Sequence, residues 1–227
     1  MNKNLLELRK VKKNFNHKNG LINLFNDVNL KIKEGELVAL IGPSGSGKSS
    51  LLNLLALIDK PTSGEIFLFG NNTKKIAETT KDLIRRSKIS IIFQDNNLLS
   101  DFNAIENVTM PLLIRGENSE LSIKKAKKAL SIVKLSGREQ HYPSELSGGE
   151  QQRVAIARSL VAETDLVLAD EPTGNLDHKT SKEVFSYFLK LKKLKKTIIY
   201  ATHNRELASK ADYKLSISNG KIKRVNG

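Results

Sequence analysis

The stretch Gly42-Pro43-Ser44-Gly45-Ser46-Gly47-Lys48-Ser49-Ser50 limits what this chain can fold into more than any other. The apolar run Leu37-Val38-Ala39-Leu40-Ile41 before it predicts a buried strand, and Ser50-Leu51-Leu52-Asn53-Leu54-Leu55 after it predicts a helix. A glycine-rich turn between a buried strand and a helix start is suited to cradling phosphates. Successive backbone N–H groups surround them, and the helix N-terminus adds its partial positive charge. The pattern G-x-x-x-x-G-K-[ST] is met in full by Gly42, Gly47, Lys48 and Ser49. Gly42, Gly45 and Gly47 let the backbone turn and come close to a ligand, with Pro43, Ser44 and Ser46 between them. Lys48 would reach the β- and γ-phosphates, and the Ser49 hydroxyl would hold Mg²⁺. A nucleoside triphosphate is the expected ligand.

The chain of 227 residues, 39% of them hydrophobic, is long enough to bury a sizeable core. No run approaches the roughly 20 apolar residues of a membrane span, and the start MNKNLLELRKVKKNF lacks the apolar centre of a signal peptide. A cytoplasmic location is therefore expected. With no cysteine there is no disulfide, no thiolate metal site and no cysteine nucleophile. The net charge of +14 admits nucleic acid or an anionic membrane surface as partner. Its lysines are spread along the chain, as in Lys124-Lys125-Ala126-Lys127-Lys128, which equally fits solvated helix faces.

Residues 4–40 hold short apolar segments broken by the polar turn Asn16 to Gly20, which predicts antiparallel strands. After the P-loop helix, Lys60-Pro61-Thr62-Ser63-Gly64 is a turn and Glu65-Ile66-Phe67-Leu68-Phe69 a strand. Residues 71–87 are polar and expected to be partly helical, and Lys88-Ile89-Ser90-Ile91-Ile92-Phe93 is a strand ending on Gln94. From Asp95 to about Leu160 helical signals replace strand signals, with Leu121, Ala126, Ala129, Leu130 and Val133 at helical spacing. An inserted helical subdomain over 95–160 is expected.

In Leu146-Ser147-Gly148-Gly149-Glu150, Ser147 and Glu150 have the spacing of a capping box. Two glycines in that first turn cost the helix about 1 kcal/mol each in propensity, so local geometry or close approach of a ligand must account for them. A helix start without side chains makes a second seat for phosphate. Asp165 to Ala169 predicts a buried strand that ends in Asp170 and Glu171. Asp170 suits Mg²⁺ and Glu171 the attacking water. Pro172 predicts an extended Glu171, with the two carboxylates pointing apart. The strand Thr197 to Thr202 brings His203 to its C-terminal end, where ligands of open parallel sheets collect. Asn219-Gly220 marks a hairpin at the sheet edge.

Taken in this order, Gly42 to Ser49, Gln94, Leu146 to Glu150, Leu166 to Glu171 and His203 resemble the nucleotide-binding subunit of an ATP-binding cassette (ABC) transporter. The resemblance covers almost the whole chain, and Leu146-Ser147-Gly148-Gly149-Glu150 is its most specific motif. It implies an α/β fold: a RecA-like P-loop NTPase core with an antiparallel β subdomain and the inserted helical subdomain. It also implies a head-to-tail homodimer, with two ATP molecules held between the P-loop of one copy and Ser147, Gly148, Gly149 and Glu150 of the other. Residue by residue, Lys48 and the Gly45 to Ser50 backbone resemble the family's phosphate cradle, while Ser49, Gln94 and Asp170 resemble the groups that order Mg²⁺. Glu171 resembles the general base and His203 the γ-phosphate switch. Asp177 resembles the residue of the loop that crosses the dimer interface. Phe15 stands where the family stacks an aromatic ring on adenine.

Within the family, Asp170-Glu171-Pro172-Thr173-Gly174-Asn175-Leu176-Asp177, Phe102 to Val108 and Met110-Pro111-Leu112-Leu113 resemble a narrower group. It contains the ATPases of lipoprotein-releasing, macrolide-type efflux and cell-division complexes. Pro143-Ser144-Glu145 and Glu183-Val184-Phe185 incline the resemblance to the lipoprotein-releasing kind, whose ATPase works at the cytoplasmic face of the inner membrane. The resemblance places the docking of membrane subunits near Leu98, Leu99 and Phe102. The rival is an ABC-type ATPase acting on nucleic acid, which the positive charge favours. The absence of sustained heptads between Ser50 and Leu146 argues against it.

Overall fold

A computed structural model describes residues 3–17 and 20–225. The chain begins with strands β1 (Asn4–His17), β2 (Gly20–Lys33) and β3 (Leu37–Ile41), then helix α1 (Lys48–Leu55). It continues through β4 (Ser63–Leu68), β5 (Asn71–Asn72), α2 (Glu78–Lys88) and β6 (Ile89–Ile92). Then come α3 (Ala104–Ile114), α4 (Ser119–Ile132), a 3-10 turn (Pro143–Glu145) and α5 (Gly148–Val161). The last part is β7 (Leu166–Asp170), α6 (His178–Lys193), β8 (Thr197–Ala201), α7 (Arg205–Ala208), β9 (Tyr213–Ser218) and β10 (Lys221–Val225).

Two sheets result. A four-stranded sheet has the order β2-β1-β4-β5, antiparallel throughout, and a six-stranded sheet has the order β10-β9-β3-β8-β7-β6. In the second, β3 runs parallel to β8 and β9, and β7 parallel to β6 and β8. Its strands β3, β6, β7 and β8 read as nearly continuous apolar runs because both faces are covered. Leu37 and Ala39 of β3, Val167 and Ala169 of β7, and Ile198 and Tyr200 of β8 pack into one core with α3 to α7. Val38, Leu40, Leu166, Leu168, Ile199 and Ala201, the alternate residues, pack into a second core with α1, α2 and the antiparallel sheet. Parallel pairing gathers the C-terminal ends of β3, β6, β7 and β8, and the segments leaving them carry Gly42, Gln94, Glu171 and His203.

The antiparallel start of the chain and the strand before the P-loop agree with the sequence. Of the Asn16 to Gly20 turn, Lys18 and Asn19 lie outside the described residues. The polar stretch 71–87 holds β5 as well as most of α2, since Asn71 and Asn72 pair with Leu68 and Phe67. Leu121, expected on the buried stripe of its helix, is 49% exposed. The stripe is instead Ser122, Ala126, Ala129 and Leu130, and Ser122 is accommodated because its Oγ donates to the Asn118 carbonyl at 2.8 Å. Asn219 and Gly220 turn the hairpin with φ of 48° and 71°. Of the hairpin's two strands β10 alone lies at the sheet edge, because β9 pairs on its other side with β3.

Candidate nucleotide-binding site

Gly47 is the N-cap of α1, in the left-handed region with φ 101°, and no side chain caps the helix. The N–H groups of its first turn therefore have no side-chain acceptor. Two glycines are required by close approach. A Cβ on Gly47 would stand 2.9 Å from Leu24 Cγ and Phe25 Cζ, and one on Gly42 2.5 Å from the Ile217 carbonyl oxygen. Lys48 is 7% exposed, with Nζ donating to the Gly42 and Pro43 carbonyls at 3.0 and 3.2 Å. Ser46 Oγ is buried with no hydrogen-bond partner among the described residues.

A cleft of about 230 Å³ opens over this loop, lined by Ser44, Gly45, Gly47, Lys48, Ser49 and Ser50 together with Leu24, Gln94, Asp170, Glu171 and His203. An uncapped helix start, a lysine and glycines at closest approach form a cradle that fits a polyphosphate. Ser49, Gln94 and Asp170 offer a hydroxyl, an amide and a carboxylate, all hard oxygen donors. They are too few to enclose an ion, which suits Mg²⁺ shared with phosphates and water.

Glu171 departs from the extended conformation expected before proline: its φ is 45°. Its N–H donates to the Ala201 carbonyl at 3.2 Å, and its own carbonyl accepts from Gly174 N–H at 2.9 Å. These bonds fix the turn against β8 and hold the residue in a strained region. Asp170 and Glu171 line the same cleft. Glu171 Oε2 accepts from His203 N–H at 3.3 Å. Oε1 lies 3.0 Å from His203 Nε2 but is buried with no hydrogen-bond geometry to any described donor, so its acceptor capacity is unspent.

Ser147 caps α5 through the expected box. Glu150 N–H donates to Ser147 Oγ at 3.3 Å, and Ser147 N–H and Oγ donate to Glu150 Oε2 at 2.9 and 2.8 Å. These bonds from Ser147 hold the Glu150 carboxyl below its usual range. A Cβ on Gly149 would meet Thr180 Cγ2 at 3.3 Å, so packing favours glycine there. Gly148 has nothing within 4 Å of such an atom and nothing in this chain demands glycine. Gly148 lines a second cleft of about 260 Å³, which shares Gln94 and Glu171 with the first, whereas Ser147 and Gly149 line neither. The start of α5 thus does not line the P-loop cleft of its own chain.

Asp177 caps α6, accepting from Lys179 and Thr180 N–H at 2.9 and 3.0 Å, and hydrogen bonds from Thr180 hold its carboxyl below the usual range. Phe15 is 40% exposed, with Lys13 Nζ 4.7 Å from its ring centre, and it does not line the cleft. Leu24 does, and no sequence signal marked it, because an apolar residue in a strand is ordinary.

A third cleft, of about 430 Å³, lies behind the nucleotide cleft's Gln94 loop and is lined by Leu99, Met110, Pro111 and Ile114 with Arg85, Arg115 and Arg158. Of the expected docking residues only Leu99 lines it. Leu98 packs on the helical core, and Phe102 is 37% exposed outside it.

A phosphate cradle after β3, carboxylates at the end of β7 and a run of helices between β6 and β7 define a P-loop nucleoside-triphosphatase fold. The ABC transporter family matches residues 25–174, and the chain belongs to that family. It is 48% identical to the lipoprotein-releasing system ATP-binding protein LolD of Rickettsia bellii, over 98% of this chain and 99% of that protein. To the protein of the same name from Bordetella avium it is 43% identical, over 88% of each. Among solved structures it resembles an ATP-binding cassette in a dimeric post-hydrolysis state with ADP and Pi, with a TM-score of 0.92 and 36% identity. That likeness covers 97% of this chain and 98% of the other.

Proposed function

We propose that this chain is the ATP-hydrolysing subunit of an ABC transporter that releases lipoproteins from the inner membrane, attached to its cytoplasmic face through membrane subunits. The observation that carries this reading is the cleft where Lys48, Ser49, Asp170 and Glu171 meet, in a chain close to the Rickettsia and Bordetella lipoprotein-releasing proteins over most of its length. Those relatives favour lipoprotein release over macrolide-type efflux or cell division. A nucleic-acid role is disfavoured because α3 and α4 end after 11 and 14 residues, and no long coiled coil is present among the described residues.

The P-loop N–H groups, the α1 N-terminus and Lys48 bind and orient the phosphates. Ser49, Gln94 and Asp170 would hold Mg²⁺, which when bound neutralises charge on the phosphate oxygens. Glu171 Oε1 takes the proton of the attacking water, and His203, 3.0 Å from it, faces the γ-phosphate. Phe15 offers its exposed ring to the adenine.

Ser147 and Gly148 serve the nucleotide of a second copy, head to tail. Two observations support this: Gly148 is unobstructed, and the start of α5 does not reach the P-loop cleft of its own chain. Asp177 lies along the same interface. The helical subdomain 95–160 carries the docking surface around Leu99. No helix among the described residues is long and apolar enough to cross a membrane, so partner subunits provide the attachment. The test is Mg²⁺-dependent ATP hydrolysis by the purified chain, and its copurification with integral subunits whose depletion stops lipoprotein release. A chain that binds no ATP, or whose integral partners are dispensable for lipoprotein release, overturns the reading.

A further inference from the structure

The nucleotide cleft and the apolar groove are joined by one loop. Gln94 lines the cleft and Leu99 the groove. Between them Asn96 and Asn97 both have positive φ, 61° and 44°. Two successive left-handed residues cost on the order of 1 kcal/mol each, less for asparagine, so something must hold them. Arg158, in the last turn of α5, does so: Nη1 donates to the Asn97 carbonyl at 2.9 Å and Nη2 to the Asn96 carbonyl at 2.8 Å. The rigid fork spans two successive carbonyls at once, which an ammonium does not reproduce.

No described carboxylate pairs with Arg158; the carbonyl dipoles answer its charge, and burial pushes its pKa down. The side chain also lines the groove, so a segment seated there touches the group that holds the loop.

We propose that Arg158 is a positioning residue for ATP hydrolysis, its two hydrogen bonds to the Asn96 and Asn97 carbonyls fixing Gln94 in the nucleotide cleft from the wall of the groove. This rests on the assignment of Gln94 to Mg²⁺. A group that orients a metal ligand from behind typically changes metal affinity or activity by about 10- to 100-fold when altered.

Arg158→Lys and Arg158→Gln, each in the full chain, test it. In hydrogen exchange without nucleotide, amides 94–99 should exchange about tenfold faster in both variants, while β6, α3 and the rest of α5 stay within about twofold. In hydrolysis, the Mg²⁺ concentration for half-maximal rate should rise about tenfold, with the KM for ATP at saturating Mg²⁺ nearly unchanged. Unaltered exchange at 94–99, or an unaltered Mg²⁺ requirement, overturns the proposal. So does faster exchange throughout α5 with a lowered melting temperature, which would make Arg158 a packing residue. If the wild-type chain hydrolyses no ATP, it is the ATPase reading that fails, and the exchange result still decides whether Arg158 holds the loop.

Discussion

Glu171 divides its carboxylate between two tasks. Oε2 is tied to the His203 backbone, while Oε1 lies buried 3.0 Å from the His203 ring without an aligned donor. That second oxygen is the one able to take a proton. Glu171→Gln keeps the size of the side chain and the bond to His203 N–H but removes the base, so hydrolysis should fall about 10²- to 10⁴-fold while Mg²⁺–ATP still binds. An ATP-bound dimer should then accumulate, visible by size-exclusion chromatography. Asp170→Asn, on the same cleft wall, should instead weaken Mg²⁺–ATP binding and give no stable dimer. Wild-type turnover in Glu171→Gln removes the role assigned here.

At the scale of elements, the segment between Gln94 and α3 is shaped by side chains reaching it from two helices. Arg158 of α5 holds its first half. Asn107 of α3, only 1% exposed, holds its second: Oδ1 accepts from Leu99 N–H at 2.8 Å, and Nδ2 lies 2.8 to 3.1 Å from the Leu99, Phe102 and Asn103 carbonyls. The start of α3 is further closed by a capping box between Asn103 and Glu106. Asn107→Ala would leave buried backbone groups unpaired, each worth about 1–3 kcal/mol, so a loss on the order of 3 kcal/mol is expected. Urea unfolding with an unchanged slope measures it. A loss below about 1 kcal/mol would mean that the loop is ordered by something else.

On the scale of the whole molecule, one sheet separates two cores, and the same sheet end presents the nucleotide cleft, the start of α5 beside it and the groove behind. Force between a membrane partner and ATP would have to cross the segment 94–103, which borders all of these. Leu99 and Phe102, 44% and 37% exposed, are its outward apolar residues. Introducing charge at both, as Leu99→Asp with Phe102→Asp, should abolish recovery of the chain with membranes while far-UV circular dichroism stays native. Undiminished recovery would place docking elsewhere.

Much of this was legible in the residues alone, and what was legible is local. The strand–glycine–helix run from Leu37 to Leu55, the Ser147–Glu150 box and the Asn219-Gly220 turn each depend on backbone preferences and hydrogen bonds within a few positions, so their geometry follows from their order. Strand faces followed too, because alternation is a property of the strand itself. What the order of residues left open depended on which distant segments share a surface. Leu24 of β2 closes over Gly47, Arg158 reaches back to Asn96 and Asn97, and Leu121 stays exposed because the neighbours of α4 meet the adjacent stripe. Pro172 predicted an extended Glu171, yet the residue turns to φ 45° because bonds to Ala201 and Gly174 outweigh a local preference of only a few kcal/mol. Partners brought together by the sheet decide such positions, and their identity is not written in the neighbouring sequence.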